Sequence, residues 1–282
     1  MSYSISSKEF DHPLLKPILE MLTEYFASID VKFFVIGATA RDIILSIHGE
    51  KSRRATHDLD IAIAISNWDE YKTIEEGIVK IKDFEKDKSQ KQRFIYKKDF
   101  ELDIVPFGDI MKEDDKVFWP PDEQVAMSVL GFSEVNKTTS EINIDNDLII
   151  KVASLAGIFI LKIVAWLDRN QEMNKDADDM AFIINNYLNI HQDRAIEKYY
   201  DLIYGVDNFK INVSGAKLLG IDINAILNTS PDTKEKITLI IETELKKEDE
   251  SRLINQMMET NSAFGFEETL LCLNNIVEGL KN

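Results

Sequence analysis

The chain has 282 residues, of which 44% are hydrophobic and 29% charged, so it holds enough apolar material for one or two globular domains. Its formal net charge of −17 argues against sequence-independent binding to nucleic acid, because that mode of binding depends on cationic side chains. The single cysteine excludes an internal disulfide. No signal-peptide pattern or apolar run long enough for a bilayer is found, which predicts a cytoplasmic protein without a membrane segment.

The first half of the sequence predicts a mixed α/β structure. Helices are expected near residues 12–27, 39–46 and 68–81, and strands at residues 33–36 and 57–65. The segments QRFIYKKD and FELDIVPF are rich in strand formers and almost contiguous, so they predict a hairpin. WPPDEQ must be a loop because consecutive prolines interrupt helices and strand ladders. Residues 127–152 then alternate like two or three short strands.

From about residue 151 the pattern becomes helical. The helical segments are LAGIFILKIVAWLDR, DADDMAFIINNYL, RAIEKYYDLIY, SGAKLLGIDINAIL, KEKITLIIETELKK and EETLLCLNNIVEGL. We therefore expect an α+β protein with a mixed N-terminal domain, residues 1–150, and a helical C-terminal domain, residues 151–282.

Two acidic residues lie inside the predicted strand at residues 57–65. Asp58 and Asp60 are two positions apart, so they point to the same face about 6–7 Å from each other. Two carboxylates so close repel one another unless a cation lies between them, and Mg²⁺ is a natural ligand for carboxylate oxygens. Asp103, in FELDIVPF, is a third acid within an apolar strand. If the two strands are neighbours, the three acids converge on a metal pair.

A glycine precedes the second predicted helix. Gly37 follows the apolar strand in VIGATARD, where the backbone N–H groups of a helix N-terminus favour phosphate. Arg41 lies one turn into this helix and is a candidate to face the same phosphates. Two basic segments, GEKSRR and residues 80–98, run against the acidic average, but the acidic residues within the second are typical of an ordinary solvated surface.

The order of these motifs resembles the DNA polymerase β-type nucleotidyltransferase superfamily. The residues that carry the resemblance are GATARD, then Arg54, Thr56, Asp58 and Asp60 in the pattern R-x-T-x-D-L-D, and Asp103 before VPF. Within the superfamily, the chain is most similar to the AbiEii/AbiGii toxin-type nucleotidyltransferases. Their pattern of a helical lysine followed by basic-Asp-x-x-Asp is matched by Lys162 and by Lys175, Asp176 and Asp179. The resemblance covers about residues 31–185.

The resemblance implies a polymerase β-like mixed sheet flanked by helices, and transfer of NMP from an NTP to an acceptor hydroxyl. It implies two Mg²⁺ ions held by Asp58, Asp60 and Asp103, with Lys162 adding positive charge. The triphosphate would be supported by Gly37, Ala38, Thr39 and Arg41, with Arg54, Thr56, Asp176 and Asp179 as secondary site residues. Many members have serine where this chain has Ala38, so Thr39 or backbone amides would take that role.

Several alternatives remain open at this stage. GATARD also resembles the G-G-x-x-R-D motif of the CCA-adding and poly(A) polymerase branch, but the downstream Glu-Asp-x-x-Arg pattern is not found. The acceptor is expected to be RNA, in particular the tRNA acceptor end, with an antitoxin protein as a partner. A small-molecule, antibiotic-type nucleotidyltransferase and a non-catalytic nucleotide-binding module are the other two hypotheses. Lys162 either snorkels from its apolar helix to the surface or reaches the triphosphate.

Overall fold

The computed structural model describes residues 2–50, 58–121, 123–260 and 265–281. The chain divides into two compact units, Met1–Ser154 and Leu155–Asn282. The first unit is built on a large mixed sheet with helices and the second is helical, which confirms the predicted α+β class. Across the described ranges, no helix combines the length and the hydrophobicity needed to cross a membrane.

The first unit contains ten described strands. They are β1 (Ser2–Ile5), β2 (Phe33–Ile36), β3 (Asp58–Ile65), β4 (Phe84–Lys86), β5 (Arg93–Tyr96), β6 (Phe100–Gly108), β7 (Lys116–Phe118), β8 (Ala126–Ser128), β9 (Ser140–Ile144) and β10 (Leu148–Val152). Eight of them form one sheet in the order β1-β9-β10-β2-β3-β6-β5-β4, and β7 pairs with β8 separately. Strand β3 is antiparallel to β2 and parallel to β6. The predicted hairpin is confirmed, because β5 is antiparallel to β6.

The helices of the first unit are α1 (Leu15–Ser28), α2 (Gly37–Ile47), α3 (Trp68–Ile78) and α4 (Phe132–Lys137). Helix α3 begins after Asn67, whose side chain accepts a hydrogen bond of 2.9 Å from the backbone N–H of Glu70. Helix α4 is absent from the sequence expectation of strands over residues 127–152. It follows Gly131, which adopts a left-handed conformation with φ 84°, and is too short to give a helical period.

Strand β3 separates apolar from acidic side chains by simple alternation. Leu59, Ile61 and Ile63 are fully buried, whereas Asp58 and Asp60 are half-buried on the other face. Burial of each aliphatic side chain contributes about 1.5–3 kcal/mol, which fixes which face of the strand turns toward the core. The apolar positions thereby determine the direction of both carboxylates.

The second unit contains seven described helices. They are α5 (Leu155–Arg169), α6 (Lys175–Ile190), α7 (Gln192–Ile203), α8 (Ile211–Leu227), α9 (Pro231–Leu245), α10 (Arg252–Thr260) and α11 (Phe266–Lys281). The sequence predicted six of them and missed α10. Buried Glu244 accepts hydrogen bonds from the hydroxyl of Ser251 at 2.9 Å and from the backbone N–H of Leu253 at 3.3 Å. The start of α10 is therefore stabilised by a carboxylate from the preceding helix, which the local pattern does not reveal.

Helices α8 and α11 approach closely through two glycines. A Cβ atom at Gly220 would lie 2.3 Å from the carbonyl oxygen of Ile276, and one at Gly279 would lie 2.6 Å from that of Lys217. Both distances are far below van der Waals contact, so any side chain at either position would push the helices apart. Cys272, on α11, is fully buried within this packing.

Candidate active site

The register of the central strands brings acidic residues onto one face of the sheet. Asp60 on β3 is paired with Asp103 on β6, and Asp58 is paired with Glu101. Paired residues on neighbouring strands, about 4.8 Å apart, direct their side chains to the same face. Asp58, Asp60, Glu101 and Asp103 therefore form one surface, which we call the acid face. The sequence-predicted acids lie together, and Glu101 joins them.

Gly37 lies directly against the acid face. It has φ +68°, and a Cβ atom at this position would lie 2.0 Å from Oδ2 of Asp60. Its neighbour Ile36 is the β2 residue paired with Asp60, which explains the proximity. Glycine is required here for two reasons, the left-handed backbone and the approach of the carboxylate. The sequence suggested room for a phosphate, whereas in the structure this space holds the side chain of Asp60.

Thr39 and Arg41, two of the residues expected to support the triphosphate, have partners within the protein. The Thr39 hydroxyl donates a 2.7 Å hydrogen bond to the carbonyl oxygen of Asp58, which ties α2 to the first residue of β3. Arg41 is only 4% exposed and donates to Asp42 from Nε at 2.8 Å. Ala38 is buried as well. The N-cap residue of α2, Ile36, makes no capping hydrogen bond with its side chain, so the backbone N–H groups of the first turn are the candidate phosphate donors.

Asp103 is held by an arginine that the sequence did not single out. Arg93 on β5 is paired with Asp103 and donates to both of its oxygens, from Nε to Oδ1 at 2.7 Å and from Nη2 to Oδ2 at 2.9 Å. Its Nη1 lies 2.5 Å from Oε2 of Glu101. The hydrogen bonds to Asp103 raise the pKa of Arg93 further above its usual value. The register of the predicted hairpin could have revealed this ion pair, since it sets Arg93 opposite Asp103.

The acid face suits a divalent cation in its donor chemistry. Carboxylate oxygens are the ligands that Mg²⁺ prefers, and Asp58 and Asp60 offer them side by side. Within the described part of the chain, however, no three His, Cys, Asp or Glu side chains are arranged as a metal site. Both oxygens of Asp103 accept hydrogen bonds from Arg93. The residues fit a cation held by Asp58 and Asp60.

Arg54 and Thr56, which the resemblance included as secondary site residues, lie outside the described residues. Residues 51–54, the last four of the basic segment GEKSRR, also lie outside the described residues.

Four charged side chains of the second unit form a cluster that we call the lysine cluster: Lys162, Arg169, Asp176 and Asp179. The ammonium of Lys162 lies 2.6 Å from Asp179 and 3.2 Å from Asp176. Arg169 donates to both oxygens of Asp176, at 2.7 and 2.8 Å. Lys162 therefore does not snorkel to a solvated surface; its side chain is 15% exposed and paired with carboxylates that are 1% and 3% exposed.

Asp176 is ionised within this cluster despite its burial. Burial disfavours the carboxylate, but the hydrogen bond from Arg169 and the charge of Lys162 outweigh it, so the pKa lies below its usual value of 3.8. Two cations and two anions balance in the cluster, which is the condition for stable buried charge.

A cavity of about 220 Å³ lies beside α2 in the first unit. Its described lining includes Thr39 and Asp42 from α2 together with His12 and Phe100. The acid-face residues are not part of that lining. The acid face is therefore distinct from this cavity.

Comparison with known proteins identifies the family of the chain. A family model described as "Nucleotidyl transferase AbiEii toxin, Type IV TA system" matches residues 21–269. The match includes the acid face, Gly37 and the whole lysine cluster, and it extends well beyond the range over which the motifs were recognised. No curated protein matches the chain.

Proposed function

The chain belongs to the AbiEii family of nucleotidyl transferase toxins from type IV toxin–antitoxin systems, and from this premise we propose that it transfers NMP from an NTP to a hydroxyl group of RNA, at the tRNA acceptor end. The observation that carries the proposal is the register that sets Asp60 beside Asp103 and Asp58 on the same face. Family membership favours an enzyme over the non-catalytic binding module. It also implies an antitoxin as the partner protein.

We propose that Asp58 and Asp60 hold Mg²⁺ together with oxygens of the triphosphate, and that two ions are used, with Asp103 serving the acceptor side. Bound Mg²⁺ supplies positive charge that favours deprotonation of the acceptor hydroxyl and departure of pyrophosphate. The chain keeps the two strand acids in fixed directions, because the alternate residues of β3 are fully buried. Such preorganisation reduces the reorganisation needed when charge develops in the transition state.

The first turn of α2 is the proposed triphosphate contact. Its backbone N–H groups and the positive end of the helix dipole favour an anion, and the N-cap residue, Ile36, has no side chain that could cap this turn. The hydrogen bond from Thr39 to the Asp58 carbonyl fixes α2 against β3. In this role Thr39 positions the phosphate-binding turn relative to the acids, while Gly37 allows Asp60 to lie against that turn.

The proposed reaction is an in-line displacement at the α-phosphorus. The acceptor oxygen forms a new bond to this phosphorus, the bond to the bridging oxygen breaks, and pyrophosphate leaves with that electron pair. Asp103 is the proposed acceptor of the hydroxyl proton. We further propose that residues 1–150 act as the catalytic nucleotidyltransferase domain and residues 151–282 as the helical domain.

The local charge of the first unit supports RNA as the acceptor. Residues 80–98 carry eight Lys or Arg and three Asp or Glu, in a chain whose net charge is −17. This segment includes β5, which pairs with β6 beside Glu101 and Asp103, and Lys88 and Lys91 precede β5. Positive charge beside a catalytic surface favours a polyanionic acceptor. The acidity of the rest of the chain favours a cationic small molecule, so both acceptor classes enter the test.

The test incubates the protein with each labelled NTP, Mg²⁺ and either total RNA, purified tRNA or cationic aminoglycosides. Labelled tRNA is the expected product, and tRNA whose terminal 3′ hydroxyl has been oxidised should remain unlabelled. Label on the small molecules alone would instead assign the second acceptor class.

Asp60→Asn is the decisive variant, because it removes one carboxylate charge at nearly constant shape. Transfer should fall by at least a hundredfold while the circular dichroism spectrum stays that of the wild type. Asp109→Asn is the matched control, since Asp109 is exposed one residue beyond β6 and should retain full activity. Wild-type turnover of Asp60→Asn in saturating Mg²⁺ would show that the acid face is not the catalytic site.

A further inference from the structure

We propose that Arg93 competes with the divalent cation for Asp103, so that cation binding at the acid face requires this carboxylate to exchange its arginine partner for the metal. The inference rests on the proposed function. It assigns to Arg93 the role of a positioning residue that sets the cation affinity of the site.

The geometry of the ion pair is the first support. Arg93 contacts the two oxygens of Asp103 at 2.7 and 2.9 Å, the parallel arrangement of a bidentate arginine–carboxylate pair. The amide of Gln92 lies 3.5 Å from the same Oδ2 atom. Asp103 has a side-chain exposure of 13%, so little solvent competes with the arginine. A cation that takes Asp103 as a ligand must approach oxygens that the guanidinium already occupies.

The charge of the acid face is the second support. Four carboxylates share this face, and Arg93 is attracted by three of them, Asp103, Glu101 and Asp60. Neighbouring carboxylates repel unless a cation compensates them, and Arg93 supplies that compensation in the metal-free protein. A divalent cation bound between Asp58 and Asp60 would repel the guanidinium. Binding at these two acids therefore weakens the ion pair at Asp103.

Glu101 makes the exchange feasible. Its Oε2 lies 2.5 Å from Nη1 of Arg93, and its side chain is 40% exposed. On leaving Asp103, the arginine keeps this carboxylate as a partner near solvent. The exchange therefore leaves neither a buried arginine nor a buried carboxylate without a counter-ion, which would otherwise be costly.

The test measures Mn²⁺ binding to the full chain without nucleotide, by electron paramagnetic resonance of free Mn²⁺ and by calorimetry. Arg93→Gln should bind Mn²⁺ at least tenfold more tightly than the wild type and should melt at a lower temperature without metal. Arg194→Gln is the matched control, because Arg194 makes an equivalent pair with Asp222 in the second unit. It should also lower the melting temperature but leave Mn²⁺ affinity unchanged.

A second pair of variants separates competition from a general change of charge. In the Asp103→Asn background, Arg93→Gln should no longer give the tenfold gain, because the contested ligand is gone. An equal gain with and without Asp103→Asn would overturn competition and assign the effect to the long-range field. Unchanged or weaker Mn²⁺ binding in Arg93→Gln would also overturn it. Should Arg93→Gln not fold, Arg93→Lys keeps the charge without the bidentate contact and should give a smaller gain.

Asp60→Asn distinguishes failure of this inference from failure of the proposed function. If Asp60→Asn abolishes Mn²⁺ binding while Arg93→Gln leaves it within twofold of the wild type, the acid face binds the cation and only the competition is refuted. If Asp60→Asn binds Mn²⁺ like the wild type, the cation site lies elsewhere and both proposals fail.

Discussion

Replacement of Lys162 by methionine should destabilise the protein, because it removes the ammonium shared by two buried carboxylates. Asp176 keeps the two hydrogen bonds from Arg169, whereas Asp179, which is 3% exposed, loses the ammonium that lies 2.6 Å away. Removal of one partner from a buried ion pair typically costs about 3–5 kcal/mol. The aliphatic part of the lysine is reproduced by methionine, so packing contributes little to this loss.

Protonation of the carboxylate limits the loss of stability in Lys162→Met and makes this loss depend on pH. A buried carboxylate that has lost an ammonium can take up a proton, which at pH 7 costs about 4 kcal/mol, since pH 7 lies about three units above the pKa of a model aspartate. At pH 5 the same step costs roughly 1.5 kcal/mol. We expect Lys162→Met to lower the melting temperature by about 10 °C at pH 7 and by much less at pH 5. The double variant Lys162→Met/Asp179→Asn should recover at least half of the loss at pH 7.

The assay is thermal unfolding by differential scanning calorimetry at both pH values. Lys281→Met is the matched control, because Lys281 forms an exposed pair with Glu242 at 2.9 Å and should change the melting temperature by less than about 2 °C. A melting temperature of Lys162→Met within 2 °C of the wild type, or a deficit that is the same at pH 5, would refute the electrostatic argument. Transfer activity of the double variant, measured well below its melting temperature, should remain at least tenfold below wild type if Lys162 also acts in catalysis.

Three further predictions concern single positions. Gly37→Ala should lower the free energy of unfolding by at least about 2 kcal/mol and abolish transfer, since the new Cβ would lie 2.0 Å from Asp60 Oδ2. The control Gly49→Ala, at φ +75° with no described atom within 4 Å, should lower it by only about 1 kcal/mol in denaturant unfolding and should stay active. The pKa of Asp176 in the folded protein lies below 3.8, so its ionised form contributes fully to stability above pH 3.8, and this contribution is lost as the pH falls through the folded-state pKa. In this acidic range, Asp176→Asn should therefore flatten the decline of the melting temperature with falling pH. Burial raises the pKa of the Cys272 thiol to about 12, so Ellman's reagent at pH 8 should react with it only after unfolding, and rapid reaction with the native protein would contradict this burial.

The sequence alone was sufficient for the features that depend on local pattern. Alternation in β3 sets Asp58 and Asp60 on one face, and a glycine between a strand and a helix predicts an uncapped helix N-terminus. The resemblance to the family rests on the same residues, because the spacing of motifs can be read from the sequence without coordinates. The α+β class and most of the helices have a similar basis in hydrophobic period.

Tertiary structure decided which of these side chains have partners. The pattern within either strand does not show that Asp103 is bound on both oxygens by Arg93, because that contact depends on the register with which the hairpin pairs the two strands. The pairing of Lys162 with Asp179, seventeen positions later, likewise depends on how two helices pack. Local pattern determines the direction of a side chain relative to its own backbone. Residues distant in sequence determine which counter-ion that side chain contacts. They thereby determine its charge state and whether it is available to a metal or a substrate.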